Sequence, residues 1–272
     1  MNSRVAALVA AACLLLTSCA TQRGADTTAL DRLLTASHRT AESRARDGQR
    51  HPSATLSFFG IRDDMTVVEV WPGGGWYTEL LAPFLRERGR LYAAHLDPAA
   101  SEYARKTVDA FRAKLAARPD VYDKVVVTTL AAAPAVNAIA PPASADMVVT
   151  FRNLHNWMMF GWQREAFAAM HAALKPGGIL GVVEHRADPE RQQDPKAASG
   201  YVAERYAIEL IESVGFKLVQ TSQVNANPKD TKDYEKGVWT LPPTFAAGAH
   251  NRDRYAAIGE SDRFTLKFVK VK

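Results

Sequence analysis

The sequence predicts an α/β fold built on a doubly wound, mostly parallel sheet. Three observations point to it. Thr66–Val70 is a β-branched run that Pro72 and three successive glycines stop, and a helical pattern runs from Trp76 to Leu85. Short apolar runs then alternate with helical patterns along the rest of the chain. Asp97 closes the second apolar run about 20 residues past Gly75. Strands buried on both faces read as continuous apolar runs, and strand, glycine turn, helix is the βα unit of such a sheet.

The first element lies outside the fold. Arg4 is a short positive region, and Val5–Leu16 is apolar but too short to span a bilayer. Leu16-Thr17-Ser18-Cys19 looks like a bacterial lipobox. It predicts a signal peptide over 1–18, cleavage before Cys19 and a lipid on that thiol. The chain has only two cysteines, Cys13 and Cys19. Cleavage leaves one, which excludes a disulfide and a cysteine metal site. The formal net charge is +5 and is spread without a block of like charges, so nucleic-acid binding is not suggested. Membrane association is expected from the lipid alone, on an exported, periplasmic or extracellular face of the envelope.

A polar tether, 19–27, leads to the domain at 28–272. Leu30, Leu33 and Leu34 predict a helix over Thr28–Asp47, with Arg39, Arg44, Arg46 and Arg50 in and just after it. These arginines read either as a solvated face or as a cap packed over the mouth of the glycine turn; the cap is preferred. Ser53–Phe59 is a short helix, and Gly60–Asp64 turns into the first strand.

Two readings compete for the turn. Gly73-x-Gly75-x-x-Thr78 is a dinucleotide fingerprint whose third glycine is missing. Glu69-x-Trp71-x-Gly73-x-Gly75 resembles motif I of the class I S-adenosylmethionine (SAM)-dependent methyltransferases, an acid followed by G-x-G-x-G. Trp71 stands where that pattern has its first glycine. The acid favours the second reading, because a carboxylate repels a pyrophosphate and attracts the ammonium and sulfonium of SAM.

Arg90–Leu96 is the second strand, ending at Asp97. A carboxylate there accepts the two hydroxyls of a ribose, or caps the helix at Ala99–Leu115. Lys124–Leu130 is the third strand, 131–144 a loop, and Asp146–Phe151 the fourth strand. Arg152-Asn153-Leu154-His155-Asn156-Trp157 follows it and resembles the segment where cofactor and substrate meet in the same family. Gln163–Leu174 is an amphipathic helix. The Lys175-Pro176-Gly177-Gly178 junction that ends it, and the strand Ile179–Val183 after it, also resemble the family. Glu184-His185-Arg186 then sits at a carboxyl strand end, where packing does not call for ions. Glu184 and His185 form a candidate catalytic pair, although neighbours on an extended chain point to opposite faces. Gly200–Val214 is a helix and Phe216–Thr221 the sixth strand. Ser222–Asp262 is about 40 residues without strand pattern and reads as a lid. Arg263–Val269 alternates and reads as the seventh strand.

The resemblance implies a seven-stranded sheet in the order 3-2-1-4-5-7-6 with strand 7 antiparallel, and SAM as cofactor. Glu69, Trp71, Gly73, Gly75, Thr78, Asp97 and Asn153 are the expected cofactor residues. His155, His185 and Glu184 are the expected catalytic ones, and no metal is expected. The Asn-Pro-Pro-Tyr/Phe motif of amino-group methyltransferases is absent, which leaves a small-molecule acceptor. The alternatives are an NAD(P)-dependent oxidoreductase and a non-catalytic, nucleoside-binding lipoprotein. The lipid reading has its own check: Cys19→Ser should move the protein from the membrane to the soluble fraction. Continued sedimentation with membranes rejects the lipobox.

Overall fold

The computed structural model describes residues 27–132 and 138–271. The signal peptide, Cys19 and the tether up to residue 26 lie outside the described residues. Seven strands form one sheet: β1 (Thr66–Val70), β2 (Arg90–His95), β3 (Val126–Thr129), β4 (Ala145–Phe151), β5 (Leu174–His185), β6 (Phe216–Ser222) and β7 (Arg263–Lys270). Their order is β3-β2-β1-β4-β5-β7-β6. The pairs from β3 to β5 are parallel, and β7 is antiparallel to both neighbours. This is the predicted order, with its reversal between strands 6 and 7.

The two-residue period of a strand sends successive side chains to opposite faces. Val68 and Val70 of β1 enter one core with Trp157, Phe167 and Met170. Val67 enters the other with Leu56, Phe59 and Leu81. Both faces are therefore covered, which is why β1 and β4 are apolar without alternation. The crevice opens at the carboxyl ends of β1 and β4, where strand order reverses direction.

Several element boundaries differ from the expectation. Thr28–Asp47 is not one helix but three pieces, Thr27–Leu34, Ala41–Ala45 and Asp47–Arg50. Thr40 caps the second by accepting the Ser43 N–H at 3.1 Å. The break turns Arg39 inward. Its fork grips Asp47 at 2.7 Å and its Nε reaches Glu79 at 3.3 Å. The helix after the glycines begins at Thr78, not Trp76. Within the Arg152–Trp157 stretch, Asn153 precedes a helix, Leu154–Phe160. The helix predicted over Gly200–Val214 is confined to Glu204–Glu212, because Tyr201 leaves it to donate its hydroxyl to Asp230 at 2.9 Å. The Ser222–Asp262 stretch holds a 3-10 turn at Gly237–Thr240 and a helix at Arg252–Ile258. Among the described residues, no helix is long and apolar enough to cross a membrane.

Asp97 does not cap the following helix, which starts at Glu102. Ser101 does so, accepting the Ala104 N–H at 3.0 Å. Asp97 turns back on the Ala99 N–H at 2.9 Å.

The turn after β1 constrains its glycines unequally. Gly75 has φ +77°, and a Cβ there would sit 2.9 Å from the ring of Phe111. Gly74 has ordinary φ and open space around it. Gly75→Ala should cost about 1–3 kcal/mol in urea unfolding through strain and overpacking, and Gly74→Ala much less. Equal losses at both sites would mean that the Phe111 contact does not fix the turn.

Candidate functional site

The chain leaves β1 through a left-handed turn. Trp71 has φ +48°, Gly73 +58° and Gly75 +77°. Two residues that the sequence reading did not single out hold its carbonyls. His95, the last residue of β2, is fully buried; its Nδ1 accepts the Leu96 N–H at 2.7 Å. That leaves the proton on Nε2, which donates to the Gly73 carbonyl at 3.1 Å. Burial, partly offset by that bond, lowers the pKa of His95 and keeps it neutral. Lys114 donates to the Gly74 carbonyl at 2.9 Å and to Glu79 at 2.6 Å.

Glu69 and Thr78 form a pair beneath the turn. The Thr78 hydroxyl donates to Glu69 Oε2 at 2.6 Å. Burial pushes the Glu69 carboxyl up to about 7, despite that bond and the charge of Lys114. Thr78 was expected at the cofactor. It is instead fully buried and lines neither cavity of the site.

Two cavities open above the sheet. One, of about 570 Å³, is walled by Asp97, Leu96, Leu130 and the outward aromatic rings of Tyr103 and Phe160. The other, of about 480 Å³, is walled by Glu69, Tyr77, Arg152, His155, His185 and Trp239. Trp71, Gly73 and Asn153 line both and form the boundary between them. The Trp71 indole does not fill the turn. It packs on Trp157 and Trp162, with centroids at 5.8 and 5.5 Å, and donates to the Leu130 carbonyl at 2.9 Å. Asn153 clamps the strand ends together, its amide donating to the Val70 carbonyl at 2.9 Å and to Thr150 Oγ1 at 3.1 Å.

The expected catalytic trio assembles with a different pairing. Glu184 is oriented on His155 rather than on the side chain of its neighbour. His155 Nδ1 lies 3.0 Å from Glu184 Oε1, and the backbone N–H of His185 donates to the same oxygen at 2.8 Å. Glu184 accepts the backbone N–H groups of His155 and His185, and with its Oε1 also facing Nδ1 of His155 the hydrogen-bond pattern assigns the Nδ1 proton as the donor. Its Nε2 makes no hydrogen bond among the described residues. Glu184 itself is fully buried and lines neither cavity, so it positions His155 instead of meeting a substrate. His185 turns to the other side, with Nδ1 2.5 Å from Ser261 Oγ. Burial and the nearby His155 and Arg152 push it well below the usual imidazole range. The edge of Trp239, from the 3-10 turn, meets the His155 ring at 6.0 Å.

His155, Glu184 and His185 offer ligand atoms within 4.8 Å of one another, a spacing a metal ion can use. The field argues against a cation there. Burial and the charges of Arg152, Arg263 and Arg50 all act on His185, a field that disfavours a further cation.

The N-terminal segment covers the second cavity. The Trp76 indole donates to the Ser43 carbonyl at 2.9 Å, and the guanidinium groups of Arg50 and Arg39 lie 4.6 and 5.4 Å from its ring centroid. Glu260, from the end of the lid stretch, pairs with Arg46 at 2.7 Å and with Arg50 and Arg263 at 3.0 Å. Arg39 and Arg50 are buried rather than on a solvated face, and Arg50 lines the second cavity; Arg44 is exposed.

No family model matches the sequence, and no curated protein matches it. The fold does have solved counterparts. A SAM-dependent methyltransferase from Aquifex aeolicus superposes with a TM-score of 0.56 at 15% identity, over 90% of this chain and 99% of that one. The [4+2]-cyclase SpnF superposes with a TM-score of 0.55 at 16% identity, over 87% and 86%. The glycopeptide N-methyltransferase MtfA, complexed with sinefungin, gives 0.51 at 17% identity, over 82% and 94%. At these identities the likeness is one of fold, and a cyclase among the counterparts underlines that a fold hosts several chemistries.

The raised carboxyl of Glu69 has a thermodynamic signature. The folded protein holds its proton up to about pH 7, whereas an ordinary glutamate releases it near 4.5. Between those values the folded state binds more protons, so this group lowers stability as pH rises through the window. Glu69→Gln keeps an acceptor for Thr78 and removes the titration. Its unfolding free energy should fall less than that of the wild type from pH 4.5 to 7, by roughly 1–3 kcal/mol. Parallel curves would mean that Glu69 is ionised throughout.

Proposed function

We propose that the chain is a SAM-dependent methyltransferase acting on a small-molecule acceptor. The observation that carries this reading is the meeting of two unlike cavities at one turn. One is largely apolar and ends in a carboxylate. The other is polar and carries a histidine held by a buried glutamate. The turn fits a cofactor backed against it: a Cβ on Gly73 would project into open space, with no heavy atom within 4 Å.

In this reading Asp97 accepts the ribose hydroxyls, since its Oδ2 makes no hydrogen bond among the described residues. Tyr103 and Phe160 offer apolar faces to the base. Glu69 faces the cationic end, where a nearby positive charge favours its ionised form. The cofactor, when bound, supplies a methyl on a sulfonium. The chain's task is then to hold the acceptor in line and to take its proton. His155 Nε2 is the base for a hydroxyl, thiol or amine, and Glu184 keeps the Nδ1 proton in place. Trp239, Pro242 and Pro243 of the lid stretch line the same cavity as His155. The acid under the turn disfavours a pyrophosphate, so the nicotinamide oxidoreductase ranks second. We place the protein at the exported face of the envelope, held by lipid on Cys19, with no nucleic-acid partner.

Isothermal titration tests the cofactor. SAM and S-adenosylhomocysteine should bind, and NAD(H) and NADP(H) should not. Asp97→Ala should weaken the nucleosides by about 1–3 kcal/mol with little change in melting. A wild-type protein that gives no heat with either sulfur nucleoside overturns the enzyme reading.

A further inference from the structure

The polar cavity carries more positive charge than its own carboxylates balance. Two buried ionic clusters lie on its walls. Around Glu79 the charges cancel: Arg39 and Lys114 face Glu79 and Asp47. Around Glu260 they do not. Arg46, Arg50 and Arg263 all pair with that single carboxylate, and Arg152 lies near enough to act on it as well. Burial works to raise Glu260, but the four arginines outweigh it and hold the carboxyl at about 2. It is fully ionised and still leaves an excess of positive charge.

The donors of that excess are incomplete. Arg50 is only 2% exposed, lines the cavity, and has an Nη2 with no hydrogen-bond partner. Buried donors left unpaired are costly, and a buried cation more so. Arg46 also lines the cavity and has an unpaired Nη2. Arg152 lines it too, and its guanidinium makes no hydrogen bond or ion pair among the described residues. Its backbone sits at φ +62°, a left-handed conformation that an arginine adopts at a cost. Burial and the neighbouring Arg263 and Arg46, partly countered by Glu260, lower its pKa to about 10, which still leaves it charged at neutral pH. A strained backbone thus presents an unpaired fork to a cavity that already holds two unpaired arginine donors.

We infer that this cavity is built for an acceptor bearing an anionic oxygen group, a carboxylate or a phosphate, gripped by Arg152 and Arg50. Planar guanidinium forks match both groups with paired hydrogen bonds. The position also separates this group from the nucleoside: none of Arg46, Arg50 and Arg152 lines the cavity that holds Asp97. His155 lines the same cavity as the arginines, so an acceptor anchored by its anion brings its nucleophile to the base. The acceptor role rests on the methyltransferase reading; the anion site itself does not.

The test is titration of the full chain with inorganic phosphate and with acetate, at constant ionic strength, read by tryptophan fluorescence. Trp76 lies under Arg50 and reports on the cluster. The wild type should saturate with at least one of the two anions. Arg152→Met should bind that anion roughly 10- to 100-fold more weakly, and Arg152→Lys should lie between. Absence of saturation in the wild type, or equal binding by Arg152→Met when its melting matches the wild type, overturns the site. A second arm separates the acceptor's anion from the cofactor's own carboxylate. S-adenosylhomocysteine is compared with 5′-methylthioadenosine, which lacks the amino-acid tail. If Arg152→Met leaves the ratio of their affinities unchanged, the arginine serves another anion, as inferred. If it abolishes that ratio, the arginine serves the cofactor tail and the acceptor role falls. Anion binding in a wild type that ignores both nucleosides keeps the site and rejects the methyltransferase instead.

Discussion

The left-handed turn at Trp71–Gly75 is the constraint from which the rest of the site follows. Three residues of positive φ within five positions reverse the chain at the top of β1 without a bulky floor. The reversal holds only because its carbonyls find donors. His95 supplies one from β2, and Lys114 supplies another from the helix Glu102–Ala117. Glu69 and Thr78 brace it from below. With the turn so fixed, a Cβ on Gly73 would meet no heavy atom within 4 Å, and a cavity lies on each side of the turn. Trp71 takes the conformation usually left to glycine, and its ring packs on Trp157 and Trp162 at the boundary between the two cavities.

Charge holds the cover over that crevice. Glu79 ties Arg39, Ser43 and Lys114, and so joins the N-terminal segment to the turn. Glu260 ties Arg46 and Arg50 to Arg263, and so joins the same segment to the lid and to β7. Buried ion pairs are poor sources of net stability, because desolvation offsets their attraction. They are good at fixing one arrangement over another, since a slipped register would strand a charge. In this molecule they fix where the cavity's mouth lies and which side chains wall it. The Glu260 cluster goes further than a clasp needs, with four arginines set against one carboxylate.

The histidines illustrate how burial sorts neighbours into different roles. Adjacent residues of an extended strand face apart, and Glu184 and His185 do so. Glu184 turns to His155 on the helix after β4, and His185 turns to Ser261, two residues before β7. One imidazole is thereby oriented with its Nε2 unengaged, and the other is kept neutral by burial among arginines. The chemistry proposed for the site draws on that asymmetry more than on either residue type.

Much of the fold was legible in the sequence because it is written in local terms. Continuous β-branched runs mark strands buried on both faces, and a proline with three glycines marks the turn that follows. The alternating Arg263–Val269 run marks the last strand. The candidate residues around the crevice were legible too, because strand ends are where a parallel sheet exposes side chains. What only tertiary structure decided were the partnerships. Thr78 looked like a ligand contact and is a brace, since only packing shows that Glu69 lies beneath it. Arg39 sits in a stretch that reads as one helix and Arg50 just after it, and their burial depends on Glu79 and Glu260, far off in sequence. Local periodicity determines which face of an element is apolar. It carries no record of which distant charge or lone pair a buried group will meet, and those meetings define the site.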